Sequence, residues 1–119
     1  MMSHLLLCLS LTIYHEARGE PRVVQEAVAA ITMNRTRDKD YPSNVCKVVN
    51  TPRAYSWVKQ HKRVKELKAF NRAKNIAKLY LSGKINNKVG KRLFFNHYKL
   101  GKRYKTPYKA IRLGHFLIY

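Results

Sequence analysis

The first residues of the chain carry an apolar pattern that repeats with the period of an α-helix. Ser3 is suited to cap a helix over residues 4–17. At about 100° per residue, the positions that fall almost on one line are Leu5, Leu9, Thr12, Ile13 and Glu16. The apolar stripe of this helix therefore ends on a carboxylate.

A turn and a second helix follow directly. Gly19 ends the first helix, and Pro21 can open the second at its first helical position, with Glu20 at or near the cap. The second helix is expected to run to about residue 35. Its predicted buried face comprises Val23, Val24, Ala27, Val28, Ala30 and Ile31. The alanines on this face would let another helix pack closely.

The middle of the chain combines loops with one long helix. Residues 37–44 and 50–60 are loops by composition, and a short apolar turn, residues 45–49, separates them. A third helix is predicted over residues 62–82, ending at Gly83, with a basic stripe beside its apolar face. That apolar face comprises Val64, Leu67, Phe70, Ala73, Ala77, Tyr80 and Leu81, and the stripe Lys65, Lys68 and Arg72.

The final third has no clean period. Residues 91–108 are both aromatic and basic, and residues 110–119 form either a strand or a buried tail. The pattern as a whole predicts a mainly α, small single domain over residues 1–119 with an irregular, aromatic C-terminal third.

The charge is extreme for 119 residues. Twenty-five Lys and Arg stand against 6 Asp and Glu, which gives a formal net charge of +19. Such a charge indicates an anionic partner: nucleic acid, a membrane surface or a cell-wall polymer.

Two features limit the class of protein. Cys8 and Cys46 are too few for a disulfide framework or a zinc site, and we favour small buried apolar side chains over a cross-link between them. The apolar N-terminal run lacks a basic start and a cleavage site and is too short to span a bilayer. We therefore expect a first core helix and no export signal.

The sequence favours carboxylate chemistry. Gly19 stands where a zinc-protease helix would have its second His, so no metal or cofactor is expected, and no Ser or Cys nucleophile signature is present. Glu16, at the wet end of an apolar stripe, should have a raised pKa and suit general acid catalysis of glycoside cleavage. The alternative is a surface charge paired with Arg18 or Arg22. Glu20 is either a second catalytic carboxylate or a cap of the second helix.

Several segments resemble one family in the right order. They are "LTIYHEARGEP", Gln25, "AVAAITMNRTRD", "YPSNVCKVV", "YSW" and the closing "GHFLIY". Together they resemble the cell wall hydrolase SleB family, which includes spore-cortex-lytic enzymes and phage endolysins. The resemblance implies a lysozyme-like (lytic-transglycosylase-like) domain that cleaves the glycan strand of peptidoglycan. It implies that Glu16 acts as acid and then base, with either water or the sugar's 6-hydroxyl completing the reaction.

Further residues are candidates for substrate binding. They are Gln25, His15, Tyr55, Trp57, Asn96, His97 and Tyr98. For Trp57 and the segment around His97, an aromatic core is the competing interpretation, and Tyr14 is either cleft or core. Val24 stands where the family usually has Gly, and the family's histidine-rich segment retains only His97.

The expected setting is phage-induced lysis. We expect a monomeric endolysin, made in the host cytoplasm and released to the cell wall, that binds peptidoglycan and is held by its charge on the anionic envelope. No nucleic-acid partner is expected. The alternative is a basic nucleic-acid-binding module, for which interleaved charge and aromatics are typical.

Overall fold

The structure is a computed structural model, and it describes residues 2–51, 55–60 and 62–119. Its helices are α1 (His4–Ala17), α2 (Arg22–Thr36), α3 (Val45–Val49), α4 (Ser56–Lys59) and α5 (Leu67–Leu81). Its strands are β1 (Phe95–His97), β2 (Ile111–Leu113) and β3 (Phe116–Ile118), with a 3₁₀ turn, Tyr98–Leu100, after β1. The predicted loop over residues 50–60 lies partly outside the described residues.

Helix α1 lies at the centre of the helical layer and packs against α2, α3 and α5. Leu9 and Ile13 from the predicted stripe are fully buried, and Val24 and Val28 of α2 join the same core. The predicted extents of α1 and α2 are confirmed to within a residue or so. Within the described ranges, the structure contains no helix both long and apolar enough to cross a membrane.

Helix α5 begins later than predicted. Residues 62–66 are not helical, because the buried hydroxyl of Tyr14 accepts hydrogen bonds from the backbone N–H groups of Lys65 and Glu66, each at 3.0 Å. Leu67 then starts the helix with 68% of its surface exposed, so its place on the predicted apolar face was wrong. Tertiary contact with α1 has overridden the local helical pattern.

The C-terminal segment is a sheet rather than a tail. Strand β3 lies between β1 and β2 and is antiparallel to both. Phe95 on β1 and Ile111 on β2 both face Ile118 of β3. The strand alternative for residues 110–119 is therefore confirmed, and the predicted apolar turn at residues 45–49 is the short helix α3.

The two cysteines form a disulfide, which corrects the interpretation as separate buried thiols. Cys8 of α1 and Cys46 of α3 have Cα atoms 5.4 Å apart and are bonded through their sulfurs. The bond depends on α3 packing against α1, a contact between positions 38 residues apart that neither local sequence encodes.

This disulfide should contribute strongly to stability. Replacing both residues (Cys8→Ser with Cys46→Ser) should lower the free energy of unfolding by about 4 kcal/mol, because the cross-link no longer restricts the unfolded chain. Urea denaturation with and without dithiothreitol measures the effect. The reductant should destabilise the wild type and leave the double variant unchanged. Equal stability of the two proteins without the reductant would contradict the prediction.

Candidate functional site

A cleft of about 440 Å³ lies between the helical layer and the sheet. Side chains from α1, α2, α4 and β1 line it, including Glu16, Arg35, Ser56, Phe95 and Asn96. All six acidic residues of the chain are described, and of these Glu16 alone lines the cleft. The arrangement therefore provides one carboxyl group to whatever occupies this space.

The carboxyl group of Glu16 is held in a poorly hydrated position. Burial raises its pKa from 4.5 to about 7, and the nearby positive charges of Arg35 and Lys62 limit the rise. Among the described residues, none forms a hydrogen bond or an ion pair with this carboxyl group. Arg18 pairs instead with Glu66, and Arg22 with Glu26. The surface-charge alternative is thus wrong in its partners, and the expectation of a raised pKa is confirmed.

Arg35 is the buried cation beside this acid. It is 5% exposed and its Nε donates to the carbonyl oxygen of Leu93 at 2.8 Å. Its guanidinium carbon lies within 6 Å of four ring centres, those of Tyr41, Tyr55, Phe94 and Phe95. The Nη1 atom is buried and finds no hydrogen-bond partner in the described part of the chain. A fixed positive charge with an unused donor therefore lies next to Glu16.

Asn34, the residue before Arg35, connects α2 to the segment that leads into β1. Its side-chain amide donates to the carbonyl oxygens of Gly90 and Arg92 at 2.8 and 2.9 Å. Asn34 and Arg35 together therefore bind three carbonyls of the segment that leads into β1. This is how the wall of the cleft formed by Phe94 to Asn96 is fixed against the helices.

Asn96 lines the cleft, and its amide is held by its neighbours. The hydroxyl of the buried Tyr119 donates to its Oδ1, and its Nδ2 donates to the carbonyl oxygen of Gly101 at 2.9 Å. The Tyr119 hydroxyl also accepts from the N–H of Arg103 at 2.9 Å. These bonds give Asn96 one orientation at the cleft wall.

Glu20 belongs to a different group of side chains. Its carboxylate accepts from the N–H and the Nδ1 of His115, at 3.1 and 2.8 Å. Burial alone would raise the pKa of Glu20, but these bonds outweigh it and hold the pKa below its usual value. Helix α2 has no side-chain cap, so the interpretation of Glu20 as its cap was wrong. Glu20 instead ties the α1–α2 turn to the β2–β3 turn.

His97 and Tyr98 lie with this second group rather than in the cleft. The ring of His97 is exposed and stacks on those of Tyr98 and His115, with centroids 4.9 and 6.0 Å apart. The guanidinium carbon of Arg112 lies 3.6 Å from the centre of the Tyr98 ring. A role of either residue at Glu16 stays a prediction without a contact to support it.

Gln25 and Tyr55 are buried supports. Gln25 is 3% exposed, and its amide donates to the carbonyl oxygens of Ala17 and Glu20 at 3.3 and 3.2 Å. Tyr55 is also 3% exposed, and its hydroxyl lies 2.8 Å from that of Thr32. Gln25 therefore stabilises the turn after Glu16, and the Tyr55 ring packs against the Arg35 guanidinium. These buried positions suit structural support better than contact with a substrate.

His15 and Trp57 lie together and are not among the residues that line the cleft. Their rings stack with centroids 4.7 Å apart and planes 23° apart, and the Trp57 Nε1 is buried. The hypothesis that Trp57 is packed within the protein therefore fits the structure better than the hypothesis that it is an exposed ring on which a sugar stacks. Tyr14 is 1% exposed and belongs to the core.

The cleft also contains residues that the sequence reasoning had not selected. Arg35, Ser56, Phe94, Arg103 and Tyr104 all line it. Arg35 and Ser56 lie in two of the segments that resemble the family, "AVAAITMNRTRD" and "YSW", whereas Phe94, Arg103 and Tyr104 come from a segment without a period. Among residues 2–51, 55–60 and 62–119, no three His, Cys, Asp or Glu side chains are grouped to hold a metal ion.

The sequence model of a family described as Cell Wall Hydrolase matches residues 19–118. The chain belongs to this family. The resemblance inferred from its motifs is thereby confirmed. Because the match begins after Glu16, the case for that residue rests on its burial and its position in the cleft.

Relatives and solved structures agree with this membership. A spore cortex-lytic enzyme of Halalkalibacterium halodurans is 48% identical over 46 residues, and one of Oceanobacillus iheyensis is 46% identical over 46 residues. These matches cover 39% of this chain but only 14% and 17% of those proteins.

The fold matches the catalytic domain of the germination-specific lytic transglycosylase SleB from Bacillus anthracis. The TM-score is 0.76 at 22% identity, covering 98% of this chain and 95% of that one. The catalytic domain of the Bacillus cereus SleB protein gives 0.69 at 20% identity, covering 99% and 91%. The predicted lysozyme-like fold class is confirmed, with a small sheet in place of the irregular C-terminal third.

The buried acid of this cell wall hydrolase should destabilise the fold at high pH. Glu16 has a pKa of about 7 when folded and 4.5 as its ordinary value, so the unfolded chain releases the proton first as pH rises. Stability is therefore full below pH 4.5 and should fall by about 3 kcal/mol as pH rises through 7.

Glu16→Gln, which cannot ionise, removes this loss. In urea denaturation it should match the wild type at pH 4 and be more stable by about 3 kcal/mol at pH 8. Glu26→Gln serves as the control, because Glu26 lies outside the cleft and pairs with Arg22. A stability difference between Glu16→Gln and wild type that is the same at both pH values would contradict the assignment.

Gly114 should be essential to the contact between the α1–α2 turn and the β2–β3 turn, which Glu20 and His115 form. Its φ is +55°, and a Cβ would lie 2.8 Å from Val24 Cγ2 and 2.9 Å from Glu20 Oε1. Gly114→Ala should therefore lower the melting temperature more than Gly83→Ala, where φ is +75° and the space is open. Equal losses in thermal denaturation would mean that the close approach to Glu20 is unimportant.

Proposed function

We propose that the chain cleaves the glycan strand of peptidoglycan as a lytic transglycosylase. The observation that carries the proposal is a single buried carboxyl group, protonated near neutral pH, in a cleft with no second carboxylate among the described residues. Glycosidases that hydrolyse their substrate with two carboxylates need the second as nucleophile or base. One carboxyl group suits a reaction in which the same group gives and then receives a proton.

In the first step, the Glu16 carboxyl group donates its proton to the glycosidic oxygen as the bond between that oxygen and C1 breaks. The leaving sugar departs as an alcohol, and positive charge develops on the remaining sugar ring. In the second step, the 6-hydroxyl of that sugar attacks C1 and gives its proton to the Glu16 carboxylate. A 1,6-anhydro end forms, and Glu16 is protonated again.

Arg35 is suited to support the intermediate state of this acid. Between the two steps Glu16 carries a negative charge in a poorly hydrated site, where such a charge is costly. The positive charge of Arg35 favours the ionised form of Glu16 and so lowers this cost. Lys62 acts in the same direction.

The setting that we propose is phage-induced lysis of a bacterial host. In this role the chain is a monomeric endolysin, made in the host cytoplasm, that reaches the cell wall after release. The support is the family resemblance, which includes phage endolysins, and a net charge of +19 that suits an anionic envelope.

The test is a digest of purified peptidoglycan with the wild type and with Glu16→Gln, analysed by mass spectrometry. Anhydro-ended fragments are expected from the wild type, and Glu16→Gln should release at least about a hundredfold fewer, since general acid catalysis is lost. Glu26→Gln, which also removes one carboxylate, should retain full activity.

Two other outcomes would change the proposal. Reducing-end sugars in place of anhydro ends would mean that water completes the reaction and would make the chain a hydrolase. No glycan fragments from a folded wild type would overturn the enzyme proposal, and salt-sensitive DNA binding would then favour the alternative of a nucleic-acid-binding module.

A further inference from the structure

A second cavity, of about 410 Å³, lies at the C-terminal end of α1, next to the cleft. We call it the basic pocket, and its lining residues are His15, Arg18, Lys62, Arg63 and Lys65. His15 lies in α1, Arg18 is the residue that follows the helix, and the other three residues lie in the non-helical segment 62–66. No acidic side chain lines it in the described part of the chain.

The basic pocket is built by a specific anchor rather than by chance proximity of surface lysines. The Tyr14 hydroxyl accepts from the N–H groups of Lys65 and Glu66 and from the guanidinium of Arg18, at 3.0, 3.0 and 2.7 Å. Val64, in the same segment as Lys65 and Glu66, packs against the hydrophobic core. Segment 62–66 is therefore held against α1 at Lys65 and Glu66, which gives the pocket a fixed wall.

The positive charge of the basic pocket is largely uncompensated by nearby carboxylates. Arg18 pairs with the carboxylate of Glu66 at the edge, with 2.9 Å between Nε and Oε2. Lys62, Arg63 and Lys65 make no ion pair with any residue that the structure describes. Burial, together with the charges of Arg18 and Lys62, lowers the pKa of His15, so this ring stays neutral at pH 7.

The basic pocket adjoins the acid of the cleft. His15 and Glu16 are consecutive in α1, and the charge of Lys62 acts on both of them. A polymer bound with its scissile bond at Glu16 therefore has neighbouring groups near Lys62, which shares the pocket with Arg63 and Lys65.

We propose that the basic pocket binds the carboxylates of the peptide stems that branch from the glycan strand. This inference rests on the proposed function, because it places the glycan in the adjoining cleft. The pocket would make the chain prefer stem-bearing strands to strands without stems.

The chemistry of the pocket favours a carboxylate. The Glu66 carboxylate already binds Arg18 at its edge, so one cation of the pocket pairs with a carboxylate in the structure. A stem is attached to the sugar next to the scissile bond, so its carboxylates arrive together with the substrate. Phosphates of a wall polymer offer similar charge without that attachment, and the experiment separates the two.

The test uses two double variants. The pocket pair carries Arg63→Gln and Lys65→Gln together, and the control pair, which loses the same charge, carries Lys78→Gln and Lys84→Gln together. Both control residues are exposed, on or after α5 and outside the pocket. Binding is measured in a Glu16→Gln background, so that no strand is cut, by titration with stem-bearing strands and with strands stripped by an amidase.

The pocket pair should weaken binding of stem-bearing strands about threefold to tenfold, as expected for exposed charge pairs, and leave stripped strands unaffected. The control pair should affect both strands equally. Removing phosphate polymers from the wall before strand preparation should not change the preference.

Three results would overturn the inference: equal binding of both strands by the parent protein, equal losses in the pocket and control pairs, or a preference that disappears with the phosphate polymers. Failure of the proposed function is separate, because it would appear as absent cleavage by the wild type whatever the binding preference.

Discussion

The central physical constraint in this structure is the free-energy cost of ionising one carboxyl group, that of Glu16, at a site with little access to water. Glu16 continues the apolar stripe of α1 into the cleft, and its burial makes the protonated form the favoured one near neutral pH. The charges of Arg35 and Lys62 keep the ionised form accessible. A group that can hold and release a proton at the same pH is what an acid that later acts as a base requires.

Much of the remaining architecture serves to fix the surroundings of that group. Asn34 and Arg35 bind the backbone before β1, Gln25 binds the backbone of the α1–α2 turn, and Glu20 binds that turn to the sheet at His115. These polar side chains contact backbone from distant parts of the chain. They add long-range connections to the modest hydrophobic core that a chain of this size can build.

One aromatic side chain also organises the basic pocket next to the cleft. Tyr14 accepts three hydrogen bonds and so positions segment 62–66 and Arg18. The same helix therefore presents an acid to one cavity and a basic wall to the other. Substrate groups in the two cavities would meet opposite chemical environments.

The sequence alone determined α1, α2, the buried acid at Glu16 and the family, because local periodicity and contiguous motifs encode them. Tertiary structure decided the disulfide, the delayed start of α5, the pairing of Glu20 with His115 and the place of Arg35 in the cleft. Each of these depends on contacts between residues that are far apart in the chain. Hydrophobic patterns report which face of an element is buried, but the partner of a polar side chain is fixed only when the elements pack.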